Sequence, residues 1–109
     1  MGKFMYENLV KADFEDRVLA HLQVVIGAKQ RRGESFSFTW KDDVSLGDGT
    51  TSVWIHPRCT LAYKFYGGRK PMINRAWVEQ MMLTANSTRG LYIMSEPTEA
   101  SRVAEEVGV

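Results

Sequence analysis

Trp54, His56, Lys64 and Tyr66 are the residues of this chain whose types and spacing best suit chemistry. Val53 and Ile55 are apolar and predict a core-facing pair, so alternation along an extended strand sends Trp54 and His56 to the opposite face. The same rule turns Lys64 and Tyr66 outward if Tyr63 and Phe65 point in. Arg58, Arg69 and Lys70 fall in the adjoining turns, and Arg75 follows. From Ser52 to Val78 there are five basic side chains and no acid. Trp54, His56, Arg58, Lys64, Tyr66, Arg69, Lys70 and Arg75 therefore form the candidate binding surface. Such a face offers cations to phosphates and π faces to bases, which is what a single strand wants, and weak binding of single-stranded or duplex DNA is expected. Trp, Tyr and Arg are equally at home in protein interfaces, so a second copy of the chain or another protein is the alternative partner.

Other chemistries find fewer of the residues they need. A closed zinc site takes four ligands, and the chain offers His21, His56 and Cys59 as soft or borderline donors, so no metal and no cofactor is expected. Cys59 as a nucleophile with His56 as its base lacks an orienting carboxylate nearby in sequence, and a packing role suits a lone thiol after a strand. Asp42, Asp43 and Asp48 do not reproduce the alternating oxygen ligands and distal Glu of a calcium loop. Neither GxxxxGK[ST] nor GxGxxG occurs. The inventory points to a small non-catalytic binding module.

The elements that position these residues are readable from periodicity. With 109 residues, 44% apolar composition and a net charge of +1, the chain is one domain's worth of sequence. It can bury somewhat under about 70% of its unfolded surface without disulfide or metal. Its apolar runs fall far short of the roughly 20 residues of a membrane span, and residues 1–7 lack a secretory signal's apolar stretch, so a cytoplasmic protein is expected. Residues 1–94 carry 13 basic and 9 acidic side chains, whereas residues 95–109 carry 1 and 4. This contrast predicts a single domain over 1–94 and an acidic C-terminal tail over 95–109, disordered or weakly helical through Val103 and Val107.

Phe4 and Tyr6, then Val10, Ala12 and Phe14, alternate about a Glu7-Asn8 break and predict a hairpin. From Arg17 the period becomes helical through Val18, Leu22, Val25, Ile26 and Lys29, with Asp13 or Asp16 to cap the first amides and Gly33 to stop the helix. Period two returns at Phe36, Phe38 and Trp40. Two more strands, Thr51–His56 and Leu61–Phe65, predict a three-stranded antiparallel meander. Asn74 caps a second helix, with Ile73 and Val78 as a hydrophobic staple and Asn86 as its left-handed stop. Leu91–Met94 is a last strand. The order ββ-α-βββ-α-β, with one apolar face per strand, predicts an α+β fold in which both helices pack on one face of an antiparallel sheet.

The stretches Asp16–Lys29, Arg31–Phe36, Val53–Pro57 and Asn74–Glu79 resemble a family of small actinobacterial proteins of unknown function, and the resemblance covers most of residues 1–97. Members of that family frequently carry the label "ATP-dependent DNA ligase". The label implies DNA end joining through an adenylated lysine in a K-x-D-G motif. The nearest approach is Lys11-Ala12-Asp13-Phe14, with Phe14 in the glycine's place, and the remaining ligase motifs need a domain of about twice this size. The resemblance therefore implies an accessory module that contacts nucleic acid or a ligase.

Overall fold

The computed structural model describes residues 1–42, 47 and 49–98. Its elements are β1 (Gly2–Tyr6), β2 (Val10–Phe14), α1 (Asp16–Arg31), β3 (Phe36–Lys41), β4 (Thr50–Ile55), β5 (Leu61–Phe65), α2 (Arg75–Ala85) and β6 (Leu91–Tyr92). The α+β class and the element order match the sequence reading. The predicted tail beyond Thr98 and the loop acids Asp43 and Asp48 lie outside the described residues. Among those described, no helix is long and apolar enough to cross a membrane.

Glu7 and Asn8 both take left-handed backbone angles, φ 53° and 60°, and the Leu9 N–H closes the turn on the Tyr6 carbonyl at 2.8 Å. Two consecutive left-handed residues give the twist that suits an antiparallel hairpin, so β1 and β2 pair from Gly2 against Phe14 to Tyr6 against Val10. α1 buries Leu19, Leu22, Val25 and Ile26 completely. Its predicted caps do other work. Glu15 is the N-cap and makes no side-chain bond to the helix. Asp16, already helical, instead accepts the Gly67 N–H at 2.7 Å and the Tyr66 N–H at 3.4 Å, and Asp13 pairs with Lys3 across the hairpin at 3.6 Å. Lys29 is buried and fully employed: its ammonium donates to Asn86 Oδ1 at 2.5 Å, meets Glu34 at 3.0 Å and lies over the Phe36 ring.

The meander does not form. β5 leaves β4 and pairs antiparallel with β1, Leu61 opposite Tyr6 and Phe65 opposite Gly2. The link from His56 to Thr60 contains Pro57 and is longer than a tight hairpin turn, which frees β5 to extend the apolar face of the first hairpin. Among the described residues, two three-stranded sheets result, β2-β1-β5 and β4-β3-β6, rather than one. In the second, β6 runs parallel to β3, so the sheet is mixed.

The inner faces of the two sheets meet through aromatic rings. Phe4 stands edge-on to Phe38 at 5.5 Å and to Trp40 at 6.0 Å, and Phe14 to Trp40 at 6.1 Å. The Tyr6 hydroxyl joins the sheets at one end by donating to the Trp54 carbonyl at 2.7 Å. α1 packs on β1 and β5, α2 on β3 and β6, and the helices pack on each other.

Asn74 caps α2 as its type predicts, its Oδ1 accepting the Ala76 N–H at 3.1 Å and the Trp77 N–H at 3.3 Å. Ile73, its proposed staple partner, is substantially exposed. Asn86 ends the helix in the right-handed region, φ −83°, and is not the left-handed stop. That conformation falls at Gly90, φ +84°, where a Cβ would sit 2.4 Å from the Ser37 carbonyl oxygen. Only glycine lets β6 approach β3 there. β6 is short, and Ile93 and Met94 continue past it as partly buried packing against the core.

Candidate nucleic-acid interface

Alternation along β4 holds: Val53 and Ile55 are buried and Trp54 is 58% exposed. His56, just beyond the strand, is half-buried and its Nδ1 accepts the Arg58 N–H at 3.2 Å, while Arg58 is exposed. Lys64 points outward from β5, with its ammonium 5.5 Å from the centre of the exposed Tyr66 ring. Arg69 and Lys70 stand exposed in the loop before α2, and Arg75 is exposed at its first turn.

These residues do not form one patch. Trp54 lies opposite Ser37 in one sheet, whereas Lys64 lies opposite Lys3 in the other. The Leu61 end of β5 is the end near Trp54, and Tyr66 is five residues further on, roughly 16 Å at a strand's rise. The expected surface is thus divided into a Trp54, His56 and Arg58 group and a Lys64, Tyr66, Arg69 and Lys70 group.

The second group borders a groove of about 820 Å³ between α1, β5 and the loop leading to α2. Gln23, Val24 and Arg31 line it from the helix, Tyr63 and Phe65 from the strand, and Arg69, Lys70 and Ile73 from the loop. Among the described residues, no acidic side chain lines it.

The loop's ends are fixed by residues of α1. Asp16 holds Gly67, where a Cβ would come within 2.7 Å of the carboxylate; Arg17 Nη1 donates to the Met72 carbonyl at 3.0 Å; and His21 Nε2 accepts the Asn74 N–H at 2.7 Å. Arg17 is itself held by Glu96, with Nε to Oε1 at 2.7 Å and Nη2 to Oε2 at 2.5 Å. Asn74 Nδ2 donates to the same carboxylate at 2.9 Å and to the Pro97 carbonyl at 2.7 Å. These hydrogen bonds from Arg17 and Asn74 hold the Glu96 carboxyl down at about 2.

Two residues of the groove were not singled out by type or spacing. Arg31 reads in sequence as a cation opposing the helix dipole, and only the fold brings it to the wall of the groove that Arg69 and Lys70 also line. Tyr63 reads as core. Its hydroxyl is closed off from solvent and, among the described residues, has no hydrogen-bond partner, and burial pushes its phenol pKa up. Lys11, the nearest match to a ligase lysine, is exposed on β2, and Asp13 beside it is engaged by Lys3.

Fold and groove together describe a small α+β domain with an open, basic, aromatic-walled cleft. The family model of a domain of unknown function, DUF7882, matches residues 1–96, and the chain belongs to that family. No curated protein and no solved structure matches the chain.

Proposed function

We propose that this domain is a non-catalytic module that binds single-stranded nucleic acid in the groove between α1 and the loop before α2. The carrying observation is the lining itself: Arg31, Arg69 and Lys70 beside Tyr63 and Phe65, with no acid among them. Cations along a concave wall track a phosphate backbone, and an exposed ring such as Tyr66, beside the half-buried Tyr63 and Phe65, accepts a base without regard to sequence. Tyr66 with Lys64 extends the same chemistry along the edge of the sheet. Cytoplasmic nucleic acid is the expected ligand, and a place beside DNA ligation or repair is the role that the family resemblance suggests. Titration of a dye-labelled single strand, followed by anisotropy at low salt, tests the reading. Arg31→Ala should weaken binding several-fold, and a strand that binds the variant as well as the parent would refute the groove.

A second reading rests on a different face. Trp54 and Tyr92, 58% and 43% exposed, stand on the strands either side of β3, above the small hydroxyl side chains Ser37 and Thr39. A face with two exposed rings, small hydroxyl side chains between them and one cation, Lys41, at its end suits a second copy of the chain. Sedimentation that finds a dimer, dissociated by Trp54→Glu, would support it.

A further inference from the structure

Three metal-ligand side chains, far apart in sequence, converge at the end of the molecule away from the groove loop. Glu7 stands in the turn after β1, His56 follows β4, and Cys59 precedes β5. One ligand atom from each lies within 4.8 Å of the others, and all three residues are half-buried. The convergence follows from the strand pairing that the sequence did not announce. Because β5 pairs with β1, the turn entering β5 sits against the turn leaving β1, and the Glu7 N–H donates to the Thr60 carbonyl at 2.8 Å.

The His56–Cys59 half is a compact turn, closed by Cys59 N–H on the His56 carbonyl at 3.1 Å. The His56 N–H points at Cys59 Sγ, 3.2 Å away. The Tyr6 hydroxyl and the Cys59 thiol share the Trp54 carbonyl, at 2.7 and 3.7 Å.

We propose that Glu7, His56 and Cys59 bind one divalent transition ion of the zinc class, with water in the fourth position. One sulfur, one nitrogen and one oxygen donor suit Zn²⁺ or Co²⁺ and do not suit Ca²⁺ or Mg²⁺, which take oxygen donors. Tetrahedral zinc with bonds of about 2.0–2.3 Å sets its ligand atoms roughly 3.3–3.8 Å apart, so the three donors close by about 1 Å through side-chain rotation. As the metal–sulfur bond forms, the thiol proton leaves for solvent, one proton per ion, and the thiolate keeps the electron pair it shares with the metal. The backbone N–H of His56 then donates to a thiolate instead of a thiol, which strengthens that hydrogen bond. The imidazole nitrogen that binds the ion gives up its lone pair. If this is Nδ1, the ion displaces the long Arg58 N–H contact; if Nε2, the ring proton moves to Nδ1 and the same contact is released. No oxidant or second reactant is needed. The ion ties the turn after β1 to the link between β4 and β5, and so clamps one sheet to the other.

The test is a titration of the full, reduced chain with Co²⁺. The proposal expects a thiolate-to-cobalt charge-transfer band in the near ultraviolet, visible bands of four-coordinate Co²⁺, and saturation at one ion per chain. Zn²⁺ should bleach all of these by displacement. Cys59→Ser should abolish the charge-transfer band, and Glu7→Gln and His56→Ala should each weaken binding by more than about tenfold. Circular dichroism of the metal-free variants separates ligand loss from unfolding, and Glu7→Gln, a near-isosteric change in a turn, decides the matter if Cys59→Ser or His56→Ala fails to fold. Absence of the charge-transfer band in the parent chain at saturating Co²⁺, or its persistence in Cys59→Ser, would overturn the assignment.

Discussion

His21 Nε2 accepts the backbone N–H of Asn74 at 2.7 Å, while its Nδ1–H donates to the Arg17 carbonyl at 2.6 Å. The two bonds fix the neutral tautomer with its proton on Nδ1, and the ring lies 4.6 Å from that of Trp77. One imidazole therefore joins α1 to the N-terminus of α2. It also pins the end of the loop that carries Arg69 and Lys70. His21→Leu preserves bulk but orphans the Asn74 N–H, and should cost about 2–3 kcal/mol of unfolding free energy in a urea titration. A loss under about 0.5 kcal/mol would show that the bond does not organise the loop.

Glu96 gives the fold an acid-sensitive tie. Its carboxyl is held at about 2 by Arg17 and Asn74, below the 4.5 of the free group. A depressed carboxylate stabilises the fold fully above the free-group value and loses that contribution as the pH falls toward the folded one. The gap in urea midpoint between the parent chain and Glu96→Gln should accordingly be widest above pH 5 and shrink between about pH 4.5 and 2. A gap that does not change with pH would remove the tie.

Gly90 is where β6 meets β3. At φ +84°, with the Ser37 carbonyl 2.4 Å from the place of a Cβ, alanine must move backbone against backbone. Gly90→Ala should lower the thermal midpoint by about 10 °C, as expected for roughly 2 kcal/mol in a domain of this size. Gly68→Ala is the control, since nothing lies near its Cβ position. Equal midpoints for the two variants would contradict the packing described for β6.

Trp54 is the residue whose type most suggests a base-stacking platform, yet it stands on the other sheet from the groove. Trp54→Ala should leave single-strand affinity within about twofold, because additivity holds for sites this far apart. A large loss in the anisotropy assay would move the binding surface to β4.

Local patterns made the elements legible. Alternation at Phe36, Phe38 and Trp40, the 3.6 period of Leu22, Val25 and Ile26, and the Asn74 cap all act within a few residues, and so do the outward turns of Trp54, Lys64 and Tyr66. What stayed hidden is non-local. Nothing within the Leu61–Phe65 strand says that its partner is Gly2–Tyr6 rather than the strand just before it, and that one choice splits the predicted patch, opens the groove and brings Glu7 to Cys59. Asp16 departs from the capping role its position suggests for a related reason. A carboxylate at a helix start reads as a cap, and its actual acceptor role toward Gly67 exists only once β5 lies beside β1. Arg31 and Tyr63 likewise gain their roles from the cleft, not from their neighbours in sequence.

The salt dependence of single-strand binding tests the central claim most directly. For the parent chain the logarithm of the affinity should fall linearly with the logarithm of salt concentration. In Arg69→Ala/Lys70→Ala the slope should be shallower by about 1.4, two phosphate contacts at about 0.7 each on a single strand. Binding that is independent of salt, or a double variant with the parent's slope, would contradict a nucleic-acid role for the groove.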